Sequence, residues 1–365
     1  MPAMQRFGAN QHPIAGKPAP TKKRAFSAVL AGAAGLFMLH PAVAAIPIQH
    51  WTQPSGAQVW LVESPVIPML DVQVDFDAGS RRDPAEQAGL ASVTALMAGK
   101  GVAARDGQPA LDENALGEAW ADLGAAFGGS AGNDRMSFQL RTLTDPDLLQ
   151  KSVALAAREL GEPAWPDDVW QRERQRLSAA IKESRTRPGT IAGLAYSAAV
   201  YGSHPYGYET TPESLARIGV ADMRARYADF IRPCRAKVSL VGAVTRAQAD
   251  ALVTQLLARL PQGSDCAPLP AVPEVVPLAA AKDERIPFQS AQSHVLIGQP
   301  GYKRSDPDFF ALLVGNHILG GGGFTSRLMT QVREQRGLSY SVYSYFAPGL
   351  HAGAFTAGLQ TRPDQ

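Results

Sequence analysis

Side chains able to bind a metal or move a proton are thinly spread in this 365-residue chain. Beyond residue 45 the histidines are His50, His204, His294, His317 and His351, no two of them a helical turn apart. Neither H-E-x-x-H nor a Cys/His cluster occurs, so the short-spaced ligand pairs typical of zinc sites are missing. The run Gly320-Gly321-Gly322-Gly323 leads into Phe324-Thr325-Ser326-Arg327 rather than Gly-Lys-Ser/Thr, which excludes a phosphate loop. It reads as a turn in which glycine is free to take φ > 0. Two donors stand out further on, the guanidinium of Arg333 and the phenol of Tyr340. Both can meet charge developing on a carbonyl oxygen. Gly337 between them is suited to end a helix, after which Tyr340 begins a strand. The plainer alternative is that Arg333 and Glu334 solvate a helix while Tyr340 packs.

The elements that must carry these residues follow from periodicity. Residues 58–63 and 69–76 read as strands, the second with Leu70, Val72, Val74 and Phe76 alternating with polar neighbours. Residues 89–97 read as a helix closed by Gly99 and Gly101, 113–123 as a second helix, and 136–141 as another alternating strand. Asp145-Pro146-Asp147 starts a helix running to about 160, with Pro early and acids at the positive end of the dipole. The next helix, capped by Asp167 or Asp168, must stop before Pro188. Short helices begin at Thr211-Pro212-Glu213 and Val220-Ala221-Asp222; 237–242 is a buried strand and 246–260 a helix. From 261 to 283 the composition turns to Pro, Gly, Ser and Ala without period, a linker. Beyond it a strand at 293–298 precedes Asp306-Pro307-Asp308, a second helix start like the one at 145–147, and 354–359 is a strand. This weak repetition suggests a duplicated domain whose second copy is incomplete at residue 365.

The whole composition narrows the function further. The length fits two domains, and 45% hydrophobic residues is usual for a packed protein. A net charge of +2, with no basic run beyond Lys22-Lys23-Arg24, argues against nucleic acid as a partner. That basic trio, the apolar stretch 25–39 and Pro41-Ala42-Val43-Ala44-Ala45 have the pattern of a secretory signal peptide cut after Ala44 or Ala45. The apolar stretch is shorter than the roughly 20 residues that span a bilayer, so no stable membrane span is expected. Export would place the protein in the periplasm, where Cys234 and Cys266 could pair. The sequence does not supply the geometry that decides whether they do.

Taken together, several motifs resemble the pitrilysin/insulinase zinc metallopeptidases. Asp77-Ala78-Gly79-Ser80-Arg81-Arg82-Asp83, then Gly89-Leu90-Ala91-Ser92-Val93-Thr94-Ala95-Leu96-Met97, then Ala98-Gly99-Lys100-Gly101 frame that family's G-L-A-H-x-x-E-H-M helix. Tyr201-Gly202-Ser203-His204-Pro205-Tyr206-Gly207 is similar to its H-P-Y-G segment. The stretch from Ala228-Asp229-Phe230 to Val241-Gly242 is similar to the strand that closes its repeat. In the family helix two His bind zinc and the Glu is the general base; here those places hold Ser92, Leu96 and Ala95. The third ligand, a Glu in a run like E-R-x-x-V-x-x-E, falls on Ala180 of Glu173-Arg174-Gln175-Arg176-Leu177-Ser178-Ala179-Ala180, while the supporting Glu is kept as Glu173. Phe324 to Tyr340, by contrast, resembles an intact R-L-x-x-x-x-R-E-x-x-G-L-x-Y motif.

The resemblance implies a duplicated α+β sandwich, each half a mostly antiparallel sheet with helices on one face. Its parts are a leader and signal peptide over 1–45, an N-terminal peptidase-like domain with a degenerate zinc motif over 46–262, a linker over 263–284 and a truncated C-terminal domain over 285–365. It further implies an exported, non-catalytic subunit that binds no metal itself. A homologous H-x-x-E-H subunit would carry zinc in a heterodimer, and Arg333 and Tyr340 would hold peptide and stabilise the oxyanion. The peptide would add as a strand to a sheet edge of the partner. In a related non-catalytic subunit a glycine-rich loop serves substrate recognition, so Gly320, Gly321, Gly322 and Gly323 form a candidate gating loop. The other reading is a periplasmic peptide-binding or scaffold protein without catalysis.

Overall fold

The computed structural model describes residues 46–263 and 266–365. The expected leader and signal peptide lie outside the described residues. Nine strands and nine α-helices are found among those described, built around two sheets.

The first sheet has six strands in the order β1-β2-β6-β3-β5-β4. They are β1 (Gln49–Thr52), β2 (Gln58–Glu63), β3 (Met69–Phe76), β4 (Ala126–Ala131), β5 (Met136–Leu143) and β6 (Lys237–Gly242). All pairings are antiparallel except β2 with β6. Alternation is obeyed closely. Val59, Leu61, Leu70, Val72, Val74, Phe76, Phe138, Leu140, Val238 and Leu240 point to one face and are buried. The opposite face carries cross-strand polar pairs, Asp71 with Arg141 and Asp75 with Arg135.

Helices cover the apolar face: α1 (Leu90–Ala98), α2 (Glu113–Asp122), α3 (Pro146–Gly161), α4 (Asp167–Ser184), α5 (Pro188–Tyr201), α6 (Pro212–Ala216), α7 (Val220–Phe230) and α8 (Arg246–Leu257). Asp112 caps α2 by accepting from Asn114 N and Ala115 N, and Asp145 caps α3 from Asp147 N and Leu148 N. Helix α5 is the exception to this layer, because it packs on the second sheet. Tyr196 Oη donates to Phe355 O at 2.6 Å, and Tyr201 Oη accepts from Ala354 N at 2.9 Å.

The second sheet has three strands, β7 (Ser293–Pro300), β8 (Val342–Phe346) and β9 (Ala354–Thr361), in the order β7-β9-β8. That order repeats β3-β5-β4 of the first sheet, with α9 (Phe309–Asn316) following β7 as α1 follows β3. The second sheet thus repeats part of the first, but the two Asp-Pro-Asp runs do not mark that repeat. Asp145 precedes the helix after β5, whereas Asp306 precedes the helix after β7. Both are helix-start signals, and such signals recur wherever a loop enters a helix.

The Pro-rich segment after α8 is tied down between Cys266 and Glu274. Cys234 and Cys266 form a disulfide with Cα atoms 6.0 Å apart. Arg235 donates to Ala267 O, Arg82 to Pro270 O, and a ring nitrogen of His204 lies 3.0 Å from Pro273 O. Lys303 pairs with Glu274, which ties the strap to the loop after β7. The bridge closes a loop with a sequence separation of 32, worth about 4 kcal/mol in the chain-entropy account. Replacing Cys234 and Cys266 together by Ser is expected to lower the unfolding free energy by roughly 2–4 kcal/mol in a urea titration.

One ionisable group sits deep in the first core. Glu159 on α3 is 4% exposed and accepts a hydrogen bond from Trp120 Nε1 at 2.8 Å. Burial pushes its carboxyl up to about 7 from 4.5, against the lowering effect of Trp120. The folded state thus holds this proton where the unfolded chain has released it, so stability falls as pH rises from about 4.5 through 7. Glu159→Gln should flatten that part of the stability–pH curve. The gain above pH 7 is at most about 3 kcal/mol, read by urea unfolding at several pH values.

Candidate functional site

Two places on this fold carry the residues singled out in the sequence, and they differ in what they retain. The first is α1. Its start is fixed from outside the helix, because Asp83 Oδ2 accepts from Gly89 N at 3.1 Å and Asp83 Oδ1 from Ala91 N at 3.1 Å. Gly89 itself takes φ +101, next to Thr210. One turn apart on the helix, Ser92 is exposed and Leu96 half-buried, while Ala95 is 2% exposed. Ala180 lies on α4, exposed. A methyl, an isobutyl and a second methyl group have no lone pair to offer, and the Ser92 hydroxyl alone is not a zinc ligand set. Among the described residues no three His, Cys, Asp or Glu side chains converge to hold a metal ion. These residues do not fit zinc.

Glu173, at the kept position, is buried and paired. Arg176 Nη2 lies 2.7 Å from Oε2, with Arg172 and Lys100 at 3.5 and 3.7 Å from Oε1. Burial opposes its ionisation, but the hydrogen bond from Arg176 and the charges of Lys100, Arg176 and Arg172 outweigh it and hold the carboxyl below its usual range. A carboxylate held by three cations ties α4 to the end of α1.

The second place is the stretch from α9 to β8. After α9 the backbone widens into two π-helical segments, His317–Gly321 and Met329–Glu334. The second carries Arg333, and Gln335 N donates to Thr330 O in the i→i−5 pattern. Single π turns in helices are often found at functional sites. Gly337, at φ +62, ends this segment as the sequence reading expects, with its N–H on Arg333 O. The strand that follows begins at Val342, so Tyr340 stands in the approach to β8 and not in it.

Arg333 and Tyr340 nevertheless meet. The guanidinium carbon lies 4.6 Å from the centre of the Tyr340 ring and 4.8 Å from that of Phe324. It thus lies over two aromatic rings, a cation–π contact being worth about 0.5–1 kcal/mol near the surface. Tyr340 is 81% exposed and Phe324 65%. Among the described residues no carboxylate pairs with Arg333. Beside this stack opens a pocket of about 600 Å³, walled by Tyr302, Phe309, Met329, Tyr343 and Phe346 and bordered by the glycine run.

The glycines are packed, not merely supple. A Cβ on Gly320 would stand 2.5 Å from Ser344 N, and one on Gly322 would be 2.6 Å from His317 O. Gly323 has φ +59. Asn316 completes the contact, donating from Nδ2 to Ser344 O at 3.1 Å and accepting from Ser344 Oγ at 2.7 Å. The run thus seals against β8 and shapes the pocket rim.

The H-P-Y-G segment turns out to join the two sheets, which nothing in the sequence signals. Tyr206 donates to Asp134 Oδ1 and its hydroxyl accepts from His351 N at 3.2 Å; Asp134 Oδ2 accepts from Leu350 N at 2.9 Å, and Arg81 Nε is 3.2 Å from Asp134. Burial, with Asp134 adding to it, pushes the Tyr206 phenol far up, so it stays a proton donor. Tyr206→Phe should cost about 1–3 kcal/mol by leaving Asp134 and His351 N short of a partner. Amide exchange at 347–353 is expected to accelerate with it.

With this geometry established, several known proteins that resemble it can be named. A family described as the peptidase M16 inactive domain matches residues 217–365. A peptidase M16 inactive domain from Pseudomonas fluorescens is 35% identical, with a TM-score of 0.80 over 87% of this chain and 74% of that one. An uncharacterized zinc protease of Bacillus subtilis, YmxG, is 23% identical over 311 residues, 85% of this chain and 72% of its own. The periplasmic protease PqqL of Escherichia coli has the same fold at 20% identity, with a TM-score of 0.70 over 88% of this chain and 35% of that one. The chain belongs to the peptidase M16 family, the group that includes pitrilysin. Its fold is that family's mixed α+β fold, and its relatives include proteins named as zinc proteases.

Proposed function

We propose that this chain is the non-catalytic half of a two-chain peptidase of the M16 family, exported to the periplasm. The observation that carries the reading is the contrast between the two places described above. Ser92, Ala95, Leu96 and Ala180 offer no metal site, while a half-buried Arg333 stands beside an exposed Tyr340, without a carboxylate partner among the described residues. The matching family's description as an inactive domain supports a partner that bears the catalytic centre. The Cys234–Cys266 bridge supports an oxidising compartment, in line with the signal-like segment at 22–45.

In this reading the partner is a homologous chain with H-x-x-E-H, whose zinc supplies the activated water. This chain binds no cofactor. Arg333 donates to a main-chain carbonyl of an extended peptide and orients it. Tyr340 Oη donates to the oxygen on which negative charge grows, and because its position is set before the reaction, no reorganisation is required. The phenol stabilises that oxygen by hydrogen bonding alone.

The test is peptidase activity of this chain mixed with an H-x-x-E-H homologue from the same source, against each alone. Activity should appear in the mixture only. Tyr340→Phe and Arg333→Ala should each lower kcat/KM about a hundredfold while the two chains still co-elute. Chelator-sensitive activity from this chain alone would refute the reading. A complex that forms and stays inert would leave a scaffold role.

A further inference from the structure

A separate cavity opens between helix α5 and the second sheet. It holds about 510 Å³, within the roughly 300–1,000 Å³ usual for binding sites. Tyr343 and Tyr345, two apart on β8, share the sheet face opposite Val342 and Phe346. Their partners across the register are Gly358 and Thr356 of β9. A Cβ on Gly358 would stand 2.6 Å from Tyr343 Cζ, so that ring lies over bare backbone. From α5 come Tyr196 and Tyr201, anchored to Phe355 O and Ala354 N of β9. Gly193, one turn before Tyr196, faces open space, with nothing within 4 Å of where a Cβ would stand.

The lining is aromatic and rich in hydroxyls but carries no fixed charge. Four phenols face the groove, and no Asp, Glu, Lys or Arg does. Tyr201 Oη accepts from Ala354 N, which leaves its proton to give. The hydroxyls of Tyr343 and Tyr345, whose side chains are 40% and 47% exposed, have no partner among the described residues. Such a lining suits a ligand with many acceptors and few donors. The rings of Tyr343 and Tyr345 stack with centres 6.0 Å apart, inclined by 22°. A polyproline II segment meets both conditions. Its carbonyls are unpaired, proline brings no N–H, and two residues advance about 6.2 Å at a rise of 3.1 Å each. This chain's own proline-rich strap is engaged elsewhere, between Cys266 and Glu274.

We propose that the groove between α5 and the second sheet docks a proline-rich segment of another protein, held as a polyproline II helix. Its prolines pack on the Tyr343 and Tyr345 rings, and its carbonyls accept from the Tyr201 and Tyr345 hydroxyls. Neither Arg333 nor a zinc-bearing partner is needed for this binding, so its failure and that of the peptidase reading are separate.

The experiment is fluorescence anisotropy on the full chain with a fluorescein-labelled oligoproline peptide, against a Gly/Ser/Ala peptide of the same length. The oligoproline should bind about tenfold more tightly or better, because its bound shape is formed in advance. Its affinity should change less than about twofold on raising the salt tenfold, since no charged side chain lines the groove. Gly193→Trp, which fills the groove from α5, should weaken the oligoproline at least about tenfold, while Gly193→Ala should leave it as it was. Tyr345→Phe, which keeps the ring and removes one donor, should weaken it about two- to fivefold. Equal binding of the two peptides would overturn the proposal, as would oligoproline binding indifferent to Gly193→Trp. Binding of labelled maltohexaose but of neither peptide would overturn it in favour of a sugar.

Discussion

The constraint on which the first half of the molecule depends is a buried ion pair under the start of α1. Asp83 is 6% exposed and Arg226 5%, and Arg226 Nη2 lies 3.0 Å from Asp83 Oδ1. The same guanidinium donates to Ala78 O and Gly79 O, and the same carboxylate accepts two amides of α1. One contact therefore joins the loop after β3, the N-terminus of α1 and helix α7. Burial raises Asp83 to about 6, although Arg226 and the α1 amides pull it down, so the pair is ionised at neutral pH. Removing one partner of such a pair leaves an uncompensated buried charge, which generally costs about 3–5 kcal/mol.

This pair explains why α1 keeps the frame of a catalytic helix without its ligands. Asp83, Gly89 and the small residues Ala91 and Ala98 set the approach of the helix to its neighbours, and none of those contacts involves positions 92, 95 or 96 as ligands. Architecture and chemistry reside on different residues of one helix. The chemistry can be absent while the packing is intact. At Arg333 the reverse holds, since Tyr340 and Phe324 are too exposed to contribute much to a core.

Several polar contacts couple the second sheet to the first half of the chain. Tyr206, Asp134, His351 N and Leu350 N form one network, Tyr196 and Tyr201 a second, and the strap from Cys266 to Glu274 a third. His351 Nδ1 is 3.1 Å from Glu274 Oε2 yet poorly aligned for a hydrogen bond, so the pair is a charge contact at most. Such directional contacts hold the pocket of Arg333 in one orientation relative to α5 and the first sheet.

Much of this was legible in the residue order. Alternation at 69–76 marks β3 because a half-buried strand must repeat every second residue, and Asp145-Pro146-Asp147 marks a helix start because the orphan amides there need an acceptor. The loss of metal ligands at Ser92, Ala95, Leu96 and Ala180 is a matter of side-chain identity and needs no coordinates. The short strands β1 and β4 and the helix α5 carry weak local signals, since β4 is rich in glycine and α5 is an apolar run with no clear period. What only the tertiary structure decided are relations between residues far apart in the chain: Cys234 beside Cys266, Tyr206 on Asp134 and His351, Phe324 and Tyr340 on either side of Arg333, Asn316 against Ser344. Local sequence dictates backbone preference within a few residues, whereas these contacts depend on how two sheets and a strap are brought together, and that is settled by the packing of the whole chain.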